Sequence, residues 1–163
     1  MTFKIHPTAN ISKLADIELS VRGTNIEVGE STFIDSFVKI KPAGGTGNVS
    51  IGRNVVINSG CVLYSGNGII VGNNVAIAAN CVLAPVNHEF KDRHRLIREQ
   101  RFKSSKGGIL IEDDVWIGAG CVLLDGSILR RGCVIGAMSL VRSEVEEFTI
   151  QTGNPLRLIG RRA

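Results

Sequence analysis

The sequence predicts an all-β chain wound as a parallel β-helix of hexapeptide repeats, and two observations carry that expectation. Residues 111–145 parse into sixes, IEDDVW, IGAGCV, LLDGSI, LRRGCV, IGAMSL and VRSEV, and an aliphatic residue opens each one: Ile111, Ile117, Leu123, Leu129, Ile135 and Val141. The same phase runs upstream through Ile5, Ile11 and Ile17, then Val28, Ile34 and Ile40, then Ile51, Ile57 and Leu63, then Val71, Ile77 and Leu83. A period of six cannot be helical, because 3.6 residues per turn would scatter the aliphatic positions around the cylinder. Short strands joined by tight turns satisfy it. Three hexads close one triangular coil, and about six stacked coils bury the aliphatic column.

The remaining slots agree with that parse. The fourth holds Asp114, Gly120, Gly126 and Gly132, residue types that tolerate φ > 0 at a turn. The fifth holds small or β-branched residues, among them Val115, Ser127, Ser139 and Val145. Cys61, Cys81, Cys121 and Cys133 all fall in this fifth slot, so they are expected as small core residues at inside corners rather than as nucleophiles. No CxxC pair or histidine-rich partner supports zinc.

Residues 1–163 are expected to form one domain. An aromatic content of 5% and 19 glycines suit a solenoid, which buries coil on coil and needs few large rings. The net charge of +4 is concentrated in one insertion and in the last residues, which implies local anion contacts and no nucleic-acid face. No apolar run reaches membrane-spanning length, so no transmembrane segment is expected. MTFKIHPT lacks the apolar region of a signal peptide, which points to a cytoplasmic protein.

Taken in order, residues 1–27 form an imperfect first coil that caps the column, with His6 solvated. KPAGGTGN (41–48) is a glycine-rich corner loop without the GK[ST] ending and following helix of a phosphate cradle. Asn58, in the second slot of INSGCV, faces outward; a turn asparagine and a binding residue both remain open. The insertion at about 84–110 holds His88 and His94 in a basic run with no clean period. A loop of that length in a compact array is either functional or disordered. His88 follows closely on the last hexad, so the rigid coil sets its direction, making it a candidate general base. Trp116, the single tryptophan, sits in an outward slot where the core has no use for it, which indicates a contact surface. Beyond Val145 the hexads stop. The tail, about 146–163, reads as an edge strand, a Gly-Asn-Pro turn and a basic segment that caps the open end of the stack.

VNHEF, DDVWIGAG, VIGAMSLV and GNPLRLIG, in that order and spacing, resemble the hexapeptide-repeat acetyltransferases over roughly Ile51 to Arg161. The nearest branches are the sugar and polysaccharide O-acetyltransferases and the galactoside, maltose and xenobiotic acetyltransferases. The resemblance implies a left-handed β-helix, an exception to the right-handed crossover rule, and a homotrimer with active sites between subunits. It implies acetyl-CoA as co-substrate, with no metal required. The implied reaction is acetyl transfer to a sugar hydroxyl of a surface polysaccharide or its precursor, and the alternative is N-acetylation of a nucleotide-linked amino sugar. It makes His88 the general base of a direct transfer and places Asn58 and Trp116 on the substrate side. Ala119 and Ala137 match positions lining the pantetheine arm; Arg142, Arg157 and Arg161 fall at or near positions contacting the nucleotide end. The chain departs from the galactoside branch at Gly66, where that branch is acidic, and at Ser143, where it has lysine. A γ-type carbonic anhydrase shares the repeat but needs three histidine ligands on its coils, and this chain offers only His6, His88 and His94, the first of them in the cap. A catalytically inactive scaffold is opposed by His88 at the family spacing.

Overall fold

The computed structural model describes residues 2–163. Short strands build three sheets of seven, eight and six strands, parallel but for the last strand of the second, which form the faces of a triangular left-handed β-helix. The first coil consists of Phe3–Ile5, Asn10–Ile11 and Asp16–Ile17; the sixth consists of Ser127–Leu129, Val134–Ile135 and Leu140–Val141. The pairing register is the hexad register. Ile5, Val28, Ile51, Val71, Ile111 and Leu129 stack up the first face. Ile11, Ile34, Ile57, Ile77, Ile117 and Ile135 stack up the second. Ile17, Ile40, Leu63, Leu83, Leu123 and Val141 stack up the third. From the second coil onward these side chains are buried, each contributing about 1.5–3 kcal/mol of apolar transfer. The first coil behaves as the expected cap: Ile5 is 39% exposed, while Ile11 and Ile17 pack against the column from its end.

The corners are not equivalent. Each coil steps six residues from the first face to the second and six from the second to the third. Every departure from the hexad falls at the remaining corner, between the third face and the first. There the connections run over 18–25, 42–48, 65–68 and 85–108. At the strict corners from the second coil onward the fourth-slot residues take the left-handed conformation, as at Asp114 (φ 59°), Gly120 (φ 68°) and Asn80 (φ 60°).

All four cysteines are buried and free. Cys61, Cys81 and Cys121 stack at one inside corner, and each thiol donates to a carbonyl of the following coil: Ala78 at 3.1 Å, Gly118 at 3.2 Å and Gly136 at 3.2 Å. Burial pushes the Cys133 thiol up to about 12, and the adjacent Cys81 thiol together with burial pushes Cys121 upward.

The tail follows the expected order of edge strand, turn and basic segment, and the end of the stack is covered: Cys133, Ile135, Val141 and Val145 of the last coil are fully buried. Thr149–Thr152 continues the second face, pairing parallel to Val134–Ile135, and Arg157–Arg161 doubles back on it antiparallel. The reason is the edge itself: Thr149–Thr152 would otherwise present a row of unpaired amides and carbonyls, which a returning strand satisfies. Leu156 packs against the core, and Thr149 is fully buried. No described helix is long and apolar enough to cross a membrane.

A thiol reagent such as DTNB is expected to find essentially no reactive cysteine in the native chain and all four after unfolding in guanidinium. Cys61→Ala and Cys121→Ala should each lower stability by about 1 kcal/mol, read from chemical denaturation. Rapid labelling of the native protein would contradict the core placement.

Candidate active site

The loop at 85–108 leaves the irregular corner after Val82–Ala84 and is stitched down at both ends. At its exit, Pro85 accepts a hydrogen bond from the Asn67 amide (3.1 Å), and Val86 packs so closely on Gly44 that a Cβ there would lie 2.8 Å from its methyl carbon. The chain then pairs with its own return leg. Glu89 N donates to the Arg101 carbonyl (3.0 Å) and Lys103 N to that of Asn87 (2.8 Å), flanking an antiparallel bridge between His88 and Phe102. The His88 and Phe102 rings stack at 4.8 Å, tilted by 44°. The His88 side chain is exposed and hydrogen-bonds to no described residue, so the ring stack and the hairpin alone fix it. Beyond the hairpin lies a single helical turn, Ile97–Gln100, whose Gln100 amide holds the carbonyls of Asp92 (2.8 Å) and Arg95 (2.9 Å). The insertion is therefore folded. His94 lies near its tip, where its Nε2 accepts from the Arg93 guanidinium at 3.2 Å.

The return leg is clamped by Asp125. This carboxylate is 4% exposed, and its two oxygens accept from the amides of Lys106 (2.8 Å) and Gly108 (2.9 Å). Asp125 escaped the sequence reading; the signal was an acidic residue in LLDGSI at a slot that holds alanine in IGAGCV.

The other expected site residues lie elsewhere on the prism. Trp116 projects from the second face, 55% exposed, between Ala76 and Val134. Asn58, Ala119 and Ala137 follow one another along the strict corner between the second and third faces. Their coils are joined there by bonds from Asn58 N to Ile77 O, Ala78 N to Ile117 O and Gly118 N to Ile135 O. Gly118 is required at this edge, since a Cβ on it would lie 2.5 Å from the Ala137 nitrogen. Among the described residues nothing accepts from the amides of Ala119 and Ala137. Asn58 is not in the left-handed region, so no turn requires it. Its side-chain amide donates to the Ile77 carbonyl at 3.1 Å, and its oxygen has no partner among the described residues.

The three arginines separate. Arg157 pairs with Thr152 and so extends the same strict edge beyond Ala137. Arg161, at the far end of that strand, is bound to Glu146 at 3.0 Å. Arg142 stands at the irregular corner, the one that carries His88. Within one chain, then, His88 and Arg142 share one corner, while Asn58, Ala119, Ala137 and Arg157 share another, with the third face between them.

Two family models match: the bacterial transferase hexapeptide (six repeats) over residues 108–143, and the hexapeptide repeat of succinyl-transferase over residues 48–85. A putative acetyltransferase of Staphylococcus aureus is 36% identical over 112 residues, 69% of this chain and 54% of that protein. The chain spans about half the length of the curated relatives it matches. Among solved structures, a variant of AntD, an N-acyltransferase from Bacillus cereus in complex with dTDP-4-amino-4,6-dideoxyglucose and coenzyme A, superposes with a TM-score of 0.82 at 25% identity. That match covers 99% of this chain and 84% of AntD. A maltose O-acetyltransferase from Clostridium difficile superposes with a TM-score of 0.60 at 21% identity, over 96% of this chain and 68% of the other.

Releasing the clamp should loosen the loop without unwinding the helix. For Asp125→Ala, trypsin is expected to cut within residues 91–106 at least several-fold faster than in the wild type, because two buried amides lose their acceptor at a cost of about 1–3 kcal/mol. Circular dichroism of the coils should be unchanged. Equal cleavage rates would show that Asp125 does not hold the loop.

Proposed function

We propose, from the premise that this chain belongs to the hexapeptide-repeat acetyltransferase family, that it moves an acetyl group from acetyl-CoA directly to a hydroxyl of a sugar, either a surface polysaccharide or its precursor. The observation that carries the proposal is His88: an imidazole turned to solvent at the base of a loop that is otherwise fixed at both ends. A hydroxyl is not nucleophilic at neutral pH, so its proton must leave as the oxygen attacks the thioester. A neutral imidazole is the group that can take that proton and later deliver it to the departing thiolate. The cysteines are all in the core, which favours direct transfer between the bound substrates over an acyl-cysteine intermediate.

The edge that carries Ala119, Ala137 and Arg157 suits the donor, with Asn58 at its substrate end. Coils are spaced by about 4.8 Å, so Asn58 and Ala137, three coils apart, span about 14 Å of straight wall. The free amides of Ala119 and Ala137 can hydrogen-bond an extended amide-bearing arm, and an amide at such a position can also stabilise the oxyanion of the tetrahedral intermediate. Arg157 lies where that wall continues, suited to a phosphate.

His88 and this edge occupy different corners of one chain, so the site requires a second copy. A homotrimer brings the loop corner of one protomer against the strict edge of the next, repeating a single heterologous contact around a closed ring. The apolar side chains left exposed by one chain support that arrangement: Phe90, Leu96 and Ile97 on the loop, with Trp116 and Met138 (78% exposed) on the face and edge.

A second acceptor, the amino group of a nucleotide-linked sugar, is favoured by the likeness to AntD along almost the whole chain. An acetyl-CoA-dependent release of free thiol, screened over neutral sugars, sugar phosphates and nucleotide-linked amino sugars, separates the two. Turnover of amines alone would establish the second.

His88→Ala is expected to leave assembly and acetyl-CoA binding intact while lowering kcat by about 10²–10⁴-fold, the usual contribution of a general base. His94→Ala should be nearly silent, and an essential His94 with a dispensable His88 would overturn the assignment. In subunit mixing, His88→Ala protein and Ala137→Trp protein, each inactive alone, should regain activity after joint dissociation and reassembly. Absence of recovery despite proven exchange would mean that each chain builds its own site.

A further inference from the structure

The same corner that carries His88 holds a recess of about 650 Å³, walled by three of the four segments that break the hexad. Residues 18–22 form one side and 42–44 the floor, while Arg101 and Phe102 of the loop close the other side. A strict repeat needs none of these extra residues for folding, as the fifth coil shows by turning this corner with Asp125 and Gly126 alone.

The lining is both cationic and apolar. Arg22 and Arg101 supply two guanidinium groups, and among the described residues neither is paired with a carboxylate. The one acid in the wall, Glu18, is engaged by Lys41 at 2.6 Å. Leu19 and Val21 are exposed, as is one side of Phe102, whose ring also stacks on His88. Arg101 has φ 64° and ψ −138°, a conformation costly for any side chain but glycine, and its carbonyl is pinned by the Glu89 amide. The loop thus holds a cation at the recess, against local preference, one aromatic ring away from the candidate base.

We infer that this recess is the acceptor subsite and that it takes an anionic acceptor: a sugar bearing a phosphate or pyrophosphate. The phosphate would lie between Arg22 and Arg101, whose planar forks match its oxygens. The ring it carries would lie on the apolar side against Phe102, within reach of His88. The inference rests on the acyl-transfer proposal above and adds to it the chemical class of acceptor and the two residues that select it.

The test is a binding measurement, so that it stands apart from turnover. Isothermal titration of the full chain would use α-D-glucose 1-phosphate, a nucleoside diphosphate, maltose as the neutral sugar, and acetyl-CoA as control. Both phosphate ligands are expected to bind, with maltose at least about 10-fold weaker. Arg22→Gln and Arg101→Gln should each weaken the phosphate ligands by about 10-fold, roughly one charge-assisted hydrogen bond, while leaving acetyl-CoA affinity within about two-fold. Tighter binding of the nucleoside diphosphate would identify a nucleotide-linked acceptor, and tighter binding of glucose 1-phosphate a simple sugar phosphate. Equal binding of maltose, indifference to both substitutions, or loss of phosphate binding in saturating acetyl-CoA would overturn the inference. Arginine-dependent phosphate binding in a protein that transfers no acyl group would instead refute the transferase proposal and leave the recess standing. Turnover of neutral glycans with an unchanged KM in both variants would do the reverse.

Discussion

Everything in this molecule follows from one constraint: each coil hydrogen-bonds to the next in a single register. A parallel ladder fixed in that way places like on like, so Ile77 meets Ile57 below and Ile117 above, and one wrong step would turn an entire face inside out. The column of buried aliphatics enforces the register, because a slip would expose it. The price is rigidity at the corners. From the second coil onward, where the chain turns within six residues the fourth slot is driven to φ > 0 and neighbouring backbones come close, as at Gly118 against Ala137.

That constraint is why so much was legible in the sequence. The hexads identified the faces, the inward residues and the burial of all four cysteines, since a period of six admits only one placement. Features built by contacts between distant residues were not legible. The loop at 85–108 showed no period because its order comes from Asp125, Gln100 and the His88–Phe102 pair, none of which is a repeat. The tail was expected as an edge strand, a turn and a capping segment; that its last segment returns antiparallel onto the edge was decided by unpaired backbone groups rather than by side-chain pattern. Arg142, Arg157 and Arg161 were grouped by resemblance alone, and within one chain the fold sets them at different places.

The candidate site shows the same division. His88 is set by the loop, and the loop is set by a carboxylate two hexads further along a different coil. A histidine in an unrestrained loop would be merely solvated. Here the backbone pairs on either side of it and the buried clamp behind the return leg restrict where its ring can point, which is the condition for proton transfer at a defined oxygen. The edge proposed for the donor needs no such device. Its exposed amides at Ala119 and Ala137 are a by-product of coils that turn tightly and leave small side chains at the edge.

The two kinds of corner therefore suit two kinds of ligand. A strict edge repeats every coil and offers the same short side chains and straight backbone along its length, which fits an extended, flexible chain that must be held at many points. A corner free to take insertions can differ at every coil, and only such a corner can assemble a recess from residues 22, 42–44 and 101–102 that no repeat would place together. Under the proposed assignment, change in the acceptor can be accommodated in the connections at 18–25, 42–48 and 85–108 without disturbing a hydrogen bond of the strict edge. The aliphatic register holds both corners in place, and it is indifferent to what the irregular one binds.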